Sequence, residues 1–176
     1  MVLKAKPFSI LHEIESVYIL GDFTLKPVAH GFSIAKDEPI RLGTWKDQGR
    51  PFFSAGVAYR QRFRLDGSKG RYRVQLPSWL GSVATVTVNG KLAGHISYPP
   101  WECDVTRLVK PGDNDIEVTV IGTLKNTLGP HHSGPGLGSA WPGMFQKGPE
   151  SGLPPGDHYA TVGYGLFKPF VLERLK

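Results

Sequence analysis

Cysteine is almost missing: Cys103 is the single one in 176 residues. One cysteine excludes an internal disulfide and any thiolate metal cluster. Placed two residues after Trp101, it is expected to pack as a small apolar side chain. Long apolar runs are also missing. None approaches the roughly 18 residues of a membrane-spanning helix, so no membrane partner is expected. The opening MVLKAKPFSILHEIESVYIL has polar breaks where a signal peptide would be uninterrupted. The chain is therefore expected to be intracellular, or a module of a longer secreted protein. It has no internal repeat and no low-complexity tail, and a formal charge of +6 is a modest excess.

What is abundant is punctuation. Twenty-two glycines and 15 prolines are scattered among runs of Val, Thr, Tyr and Phe. That pattern predicts many short strands joined by turns, an all-β domain. In VAYRQRFRL (57–65), Val57, Tyr59, Phe63 and Leu65 alternate with Ala58, Arg60, Arg62 and Arg64. RYRVQL (71–76) repeats the scheme. VATVTV (83–88) meets Asn89-Gly90, the pair favoured for a two-residue hairpin with positive φ at both positions, and KLAGHI returns. In LVKPGDNDIEVTVIG (108–122) a Pro-Gly turn, with Asp113 and Asn114 as turn residues, opens a strand over 115–121. ESVYIL (15–20), GFSIAK (31–36) and the closing YGLFKPFVLERLK are further strands. One wet and one dry face per strand predicts an antiparallel sandwich. A single module over 1–176 is expected, with an entry segment at 1–14 and a long Gly/Pro-rich loop region at 123–159. A loop of that length is functional or disordered, and its aromatic residues argue against simple disorder.

Several of these words belong together. Val88-Asn89-Gly90, Gly94, Asp104-Val105-Thr106, Leu108, Gly112, Asn114, Ile116, Val118 and Val120 follow one another in a pattern that resembles the sugar-binding β-sandwich of family 2 glycoside hydrolases. The likeness is good over 54–122 and thinner over 164–175. ESVYILGDF and TLKNTLGPHH are similar to words of C-terminal accessory modules of large bacterial glycosidases. The resemblance implies a galactose-binding-like jelly roll within a polysaccharide-degrading enzyme. It implies an extracellular or periplasmic setting and a catalytic module as partner; a monomer is expected.

An enzyme is not expected in this chain. Glycoside hydrolysis needs two carboxylates facing each other across a sugar, about 5–9.5 Å apart. Asp47, Glu102, Asp104, Asp113, Asp115, Glu150 and Asp157 show no spacing that demands such a pair. Asp104, Asp113 and Asp115 fall at predicted turns, where Asp bonds its own backbone; a structural calcium on these three is the competing reading. No other cofactor is expected. Adjacent His131 and His132 lack the spacing of metal ligands. Ser133 and Ser139 lack a nucleophile elbow.

A glycan site wants an aromatic platform and a few hydrogen-bonding groups. Candidate contacts are Trp45, Trp101, His131, His132, Trp141 and Tyr159, all in predicted Gly/Pro-rich loops; for Trp101, as for Trp79, a core or lid position competes. A second candidate surface is an arginine stripe. Arg60, Arg62, Arg64, Arg71 and Arg73 would share one wet face if their two strands paired, and an anionic polysaccharide would suit it. Nucleic acid is not expected, because no aromatics interleave these arginines. A domain that packs on a catalytic module and holds no sugar by itself is the alternative function.

Overall fold

The computed structural model describes residues 4, 6–7, 9, 19–67, 69–129, 131–132 and 152–175. Two β-sheets face each other across one apolar core. Strands β1 (Phe23–Pro27) and β2 (Phe32–Lys36) form a separate antiparallel hairpin. Then come β3 (Gly56–Leu65), β4 (Arg71–Gln75), the two-residue β5 (Trp79–Leu80), β6 (Val83–Val88), β7 (Lys91–Ile96), β8 (Glu102–Asp104) and β9 (Gly112–Ile121). One helical turn, α1 (Lys125–Leu128), follows, and β10 (Gly165–Leu166) and β11 (Val171–Leu175) close the described chain.

One sheet has the order β3-β9-β6-β7; the facing one has β11-β4-β8, extended by the pair β10-β5. All of these pairings are antiparallel, as the alternation predicts. The inward residues of the first sheet are Ala84, Val86, Val88, Ile116, Val118 and Val120. Those of the second include Tyr72, Val74 and Cys103. Burial pushes the Cys103 thiol up, with the Asp104 carboxylate adding to it. Asn89 and Gly90 have φ of 51° and 77°, so the β6–β7 hairpin uses the predicted turn.

Four expectations need correction. First, β3 and β4 lie in opposite sheets, so their arginines share no face. Alternation says which side a residue points to and not which strand stands beside it. Second, Asp113, Asn114 and Asp115 are not turn residues, because β9 already begins at Gly112. Third, FTLKP (23–27), between the two strands expected at 15–20 and 31–36, is itself a strand. Fourth, of the predicted strand at 15–20, residues 15–18 lie outside the described residues and 19–20 carry no strand.

The arginine stripe has a different explanation. Arg60, Arg62 and Arg64 stand opposite Glu117, Asp115 and Asp113 in the β3–β9 register. They pair with them at 2.5, 2.8 and 3.6 Å. On the other sheet Arg71 binds Asp104 at 3.0 Å, and Arg73 bridges Glu102 and Glu173 at 2.5 and 2.8 Å. Exposed pairs of this kind stabilise by well under ~1 kcal/mol each. Their larger consequence is that each of these guanidinium groups already holds a carboxylate.

Candidate functional site

The segments around the β1–β2 hairpin are drawn together by backbone hydrogen bonds. Gly31 N–H donates to Pro154 C=O at 2.8 Å, and Gly156 N–H donates to Val28 C=O at 3.0 Å. Gly156 has to be glycine: a Cβ there would lie 2.4 Å from the Gly31 carbonyl oxygen and 2.7 Å from the Pro27 backbone. The second tie is the buried Asn126, whose amide donates to Val162 C=O at 2.8 Å and accepts from Val162 N–H at 2.7 Å. Ala160 N–H donates to His131 C=O at 2.8 Å, and the Thr127 hydroxyl donates to Phe52 C=O at 2.9 Å. Residues 52, 127–129, 131–132 and 152–162 are thereby fixed against the hairpin.

The result is a cluster of rings. Tyr159 lies edge-on to Phe32 at 5.1 Å, to Phe52 at 5.6 Å and to His132 at 4.8 Å between centroids. His131 stands 4.8 Å from Phe52. Phe32 and Tyr159 also line a cleft of about 700 Å³ between the hairpin, the 3-10 turn at Lys46–Gln48 and the 156–161 segment. Edge-to-face packing of this kind sets the positive edge of one ring against the negative face of the next and fixes the rings relative to one another. The cleft rim is charged: Lys26, Lys36, Arg41 and Lys46 stand beside Glu38, Asp47 and Asp157.

Three of the six expected contacts therefore come together: His131, His132 and Tyr159. Trp141 lies outside the described residues, as do Ser133, Ser139 and Glu150. Trp101 is elsewhere, 39 % exposed and edge-on to Trp79 at 5.3 Å. Trp45 is in the core at 1 % exposure, its indole N–H donating to the Tyr59 hydroxyl at 2.8 Å. A ring so enclosed offers no face to a ligand. Phe32 and Phe52 were not among the candidates; the signal for Phe52 was an aromatic pair, PFF, in a loop ended by glycine. The lysines of the hairpin could be found only by knowing that it folds over this corner.

The carboxylates considered for calcium do not gather. Asp104, Asp113 and Asp115 each hold an arginine, and no cluster of metal-ligating side chains is found among the described residues. Asp104 also accepts from Thr106 N–H at 2.9 Å; hydrogen bonding with the Thr106 side chain first, then this backbone bond and one from Arg71, hold its carboxyl at about 2.

His131 is the perturbed group of the cluster. Burial lowers its imidazole from 6.5 to about 4; the charges of Lys125 and His132 push the same way, and a hydrogen bond with the Thr127 backbone opposes. Among the described residues its buried Nδ1 has no hydrogen-bond partner. The sign follows from linkage. The unfolded ring takes up its proton near 6.5 and the folded ring only near 4, so stability is full above 6.5 and declines as pH falls toward 4. Partial exposure of the ring reduces the loss to about 1–2 kcal/mol. Thermal melts between these two pH values are expected to show this slope in the wild type and a flatter one in His131→Phe. Equal slopes would mean that His131 is not the titrating group.

Comparison with known proteins places the fold. No protein-family model matches the chain. It is 33 % identical over 93 residues to a "Putative beta-glucuronidase" of Formosa agariphila, an alignment covering 49 % of this chain and 8 % of that protein. A rhamnosidase from Novosphingobium sp. PP1Y superposes with a TM-score of 0.53 at 23 % identity, over 93 % of this chain and 16 % of that one. The chain thus spans a small fraction of the glycosidases it resembles, and the structural likeness establishes the sandwich fold.

Proposed function

We propose that this chain is a non-catalytic β-sandwich domain of a larger, secreted glycoside hydrolase, and that it holds glycan in the cleft beside Tyr159. The observation that carries this reading is that Phe32 of β2 and Tyr159 line one charged cleft, with Phe52, His131 and His132 in ring contact with them. Such a place offers an apolar platform for the C–H face of a sugar and donors and acceptors for its hydroxyls. The partial match to a protein named as a glucuronidase supports a glycosidase parent. The carboxylates on the rim, Glu38, Asp47 and Asp157, are exposed. A general acid working near neutral pH needs burial to keep its proton, so hydrolysis by this chain is not part of the reading.

Tyr159→Ala is expected to weaken oligosaccharide binding about tenfold, because one stacked aromatic contributes on the order of 1–1.5 kcal/mol. Trp101→Ala should leave affinity unchanged. Calorimetry against a panel of plant and algal oligosaccharides makes the comparison. Equal affinity of wild type and a folded Tyr159→Ala variant would remove the site. A second reading has its own observation: Tyr98, 74 % exposed, Pro99, Pro100 and Trp101 form a continuous exposed apolar run. Such a patch suits packing on a neighbouring domain. Loss of solubility of the isolated chain, cured by Tyr98→Ser with Trp101→Ser and accompanied by no sugar binding, would favour it.

A further inference from the structure

The charge around the cleft points to the class of sugar. This step rests on the glycan-binding reading above. Lys26 and Lys36 come from the hairpin, Arg41 from the connection after it, and Lys46 from the 3-10 turn; all four line the cleft. On the sheet faces Arg60, Arg62, Arg64, Arg71 and Arg73 are each matched with a carboxylate, and so is Arg50, through Asp37. Among the described residues the four cleft cations have no carboxylate within ion-pair distance. The three carboxylates of the same cleft are likewise not set against them. Cations and anions share one rim without neutralising each other. The excess is one positive charge, from four cations against three anions.

We propose that the cleft binds an anionic sugar, with its carboxylate or sulfate oxygens held among Lys26, Lys36, Arg41 and Lys46, and its ring lying against Phe32 and Tyr159. The acidic side chains take ring hydroxyls as acceptors. A neutral sugar would use the aromatic floor and leave the cations idle. A planar guanidinium with ammonium groups beside it suits a carboxylate or a sulfate ester, through charge-assisted hydrogen bonds that are stronger than neutral ones. The site also explains where anionic ligand affinity belongs in a molecule whose arginine stripe is self-neutralised: at the hairpin corner and not on the sheet faces.

The test compares ligands that differ in charge alone. Calorimetry of the 176-residue chain would use an oligogalacturonate, its fully methyl-esterified form, and a sulfated galactan oligosaccharide with its desulfated form. An acidic member is expected to bind about tenfold or more tightly than its neutral counterpart, and to weaken several-fold between low and physiological salt. Uronate preference identifies a carboxylate site, sulfate preference a sulfate site. Arg41→Gln combined with Lys46→Gln should remove most of the difference. Arg60→Gln, which breaks a sheet-face pair, should not change it. Equal binding of charged and neutral partners would overturn the anionic assignment and leave the glycan-binding reading standing. No binding by any member would overturn both. A charge preference abolished by Arg60→Gln and untouched by Arg41→Gln with Lys46→Gln would move the site to the sheet face.

Discussion

Replacing Trp45 by alanine is expected to cost about 3–5 kcal/mol of folding stability, the range for removing a buried tryptophan. The indole fills the space between Phe53, at 5.7 Å, and Tyr164, at 6.1 Å between ring centroids. Its backbone N–H donates to Tyr164 C=O at 2.8 Å, which fixes where the ring enters. Two glycines have made room for it. A Cβ on Gly122 would sit 3.3 Å from the indole, and one on Gly165 would lie 2.1 Å from the Gly43 carbonyl oxygen. Alanine would leave a cavity lined by rings that cannot collapse into it. It would also leave the Tyr59 hydroxyl without the indole donor, keeping only its long contact from Leu166 N–H at 3.3 Å. The midpoint of thermal unfolding should fall on the order of 10 °C in a domain of this size. Trp45→Phe keeps most of the volume and should cost about half as much. Chemical denaturation with the slope unchanged and the midpoint lowered is the expected signature. A loss below ~1 kcal/mol, combined with weaker sugar binding, would return Trp45 to the ligand.

The contrast between Trp45 and Tyr159 shows what the sequence carries and what it does not. Both sit in Gly/Pro-rich loops, and composition alone cannot say which ring points inward. Tyr59 and Tyr164, which enclose Trp45, come from positions 14 and 119 residues away in the chain; nothing local announces them. The strands were legible because alternation is local. Residues 57–65, 71–76, 83–88 and 115–121 differ from the observed strands mainly at their ends. Their assignment to two sheets was not legible, since β3 and β4 carry the same pattern of arginines. A usable signal was present all the same. Asp113, Asp115 and Glu117 repeat every second residue, in step with Arg64, Arg62 and Arg60, and opposite charges directly across an antiparallel pair are favourable. Matching those spacings would have paired β3 with β9 and left β4 to the other sheet.

The ring cluster was legible in part. The loops that hold His131, His132 and Tyr159 do converge. The resemblance over residues 54–122 covers the sandwich, while the ring cluster is built from segments mostly outside that stretch. The words that resemble the family 2 pattern thus lie in the sandwich core, and the ring cluster is built from segments outside them. That division is why a likeness in fold says little about a ligand.

Asn114 is where the family-like pattern has its largest expected energetic consequence. The side chain is 0 % exposed. Its Oδ1 accepts from Lys110 N–H at 2.9 Å and from the Asn89 amide at 3.0 Å; its Nδ2 donates to Lys110 C=O at 2.7 Å and Gly112 C=O at 3.0 Å. Asn89, at the β6–β7 turn, also donates to Leu108 C=O at 3.1 Å and accepts from Asp115 N–H at 3.1 Å. The two amides thus tie the hairpin turn to the Pro111-Gly112 turn that opens β9, and Gly112 itself has φ of 82°. This accounts for an asparagine two residues after that glycine: its amide supplies two N–H donors and an oxygen with two lone pairs, which match the two carbonyls, the Lys110 N–H and the Asn89 amide. Asn114→Ala would take the side-chain partner from the Lys110 N–H and from the Lys110 and Gly112 carbonyls, all in part-buried bonds. Buried unsatisfied groups cost about 1–3 kcal/mol each, partly relieved by entering water, so a net loss of about 3–4 kcal/mol is expected. Asn114→Asp fits the same space but sets a carboxylate against two carbonyls, and should be no better. Asn89→Gly keeps the positive φ and removes only the side-chain bonds. Combining it with Asn114→Ala should therefore cost about 1 kcal/mol less than the sum of the two single changes, because each removes the bond they share. Neither residue lines the cleft, so sugar affinity of the folded protein should not move. Strict additivity in the double variant would show that the two turns are held independently, and that the link between them is not what sets the start of β9.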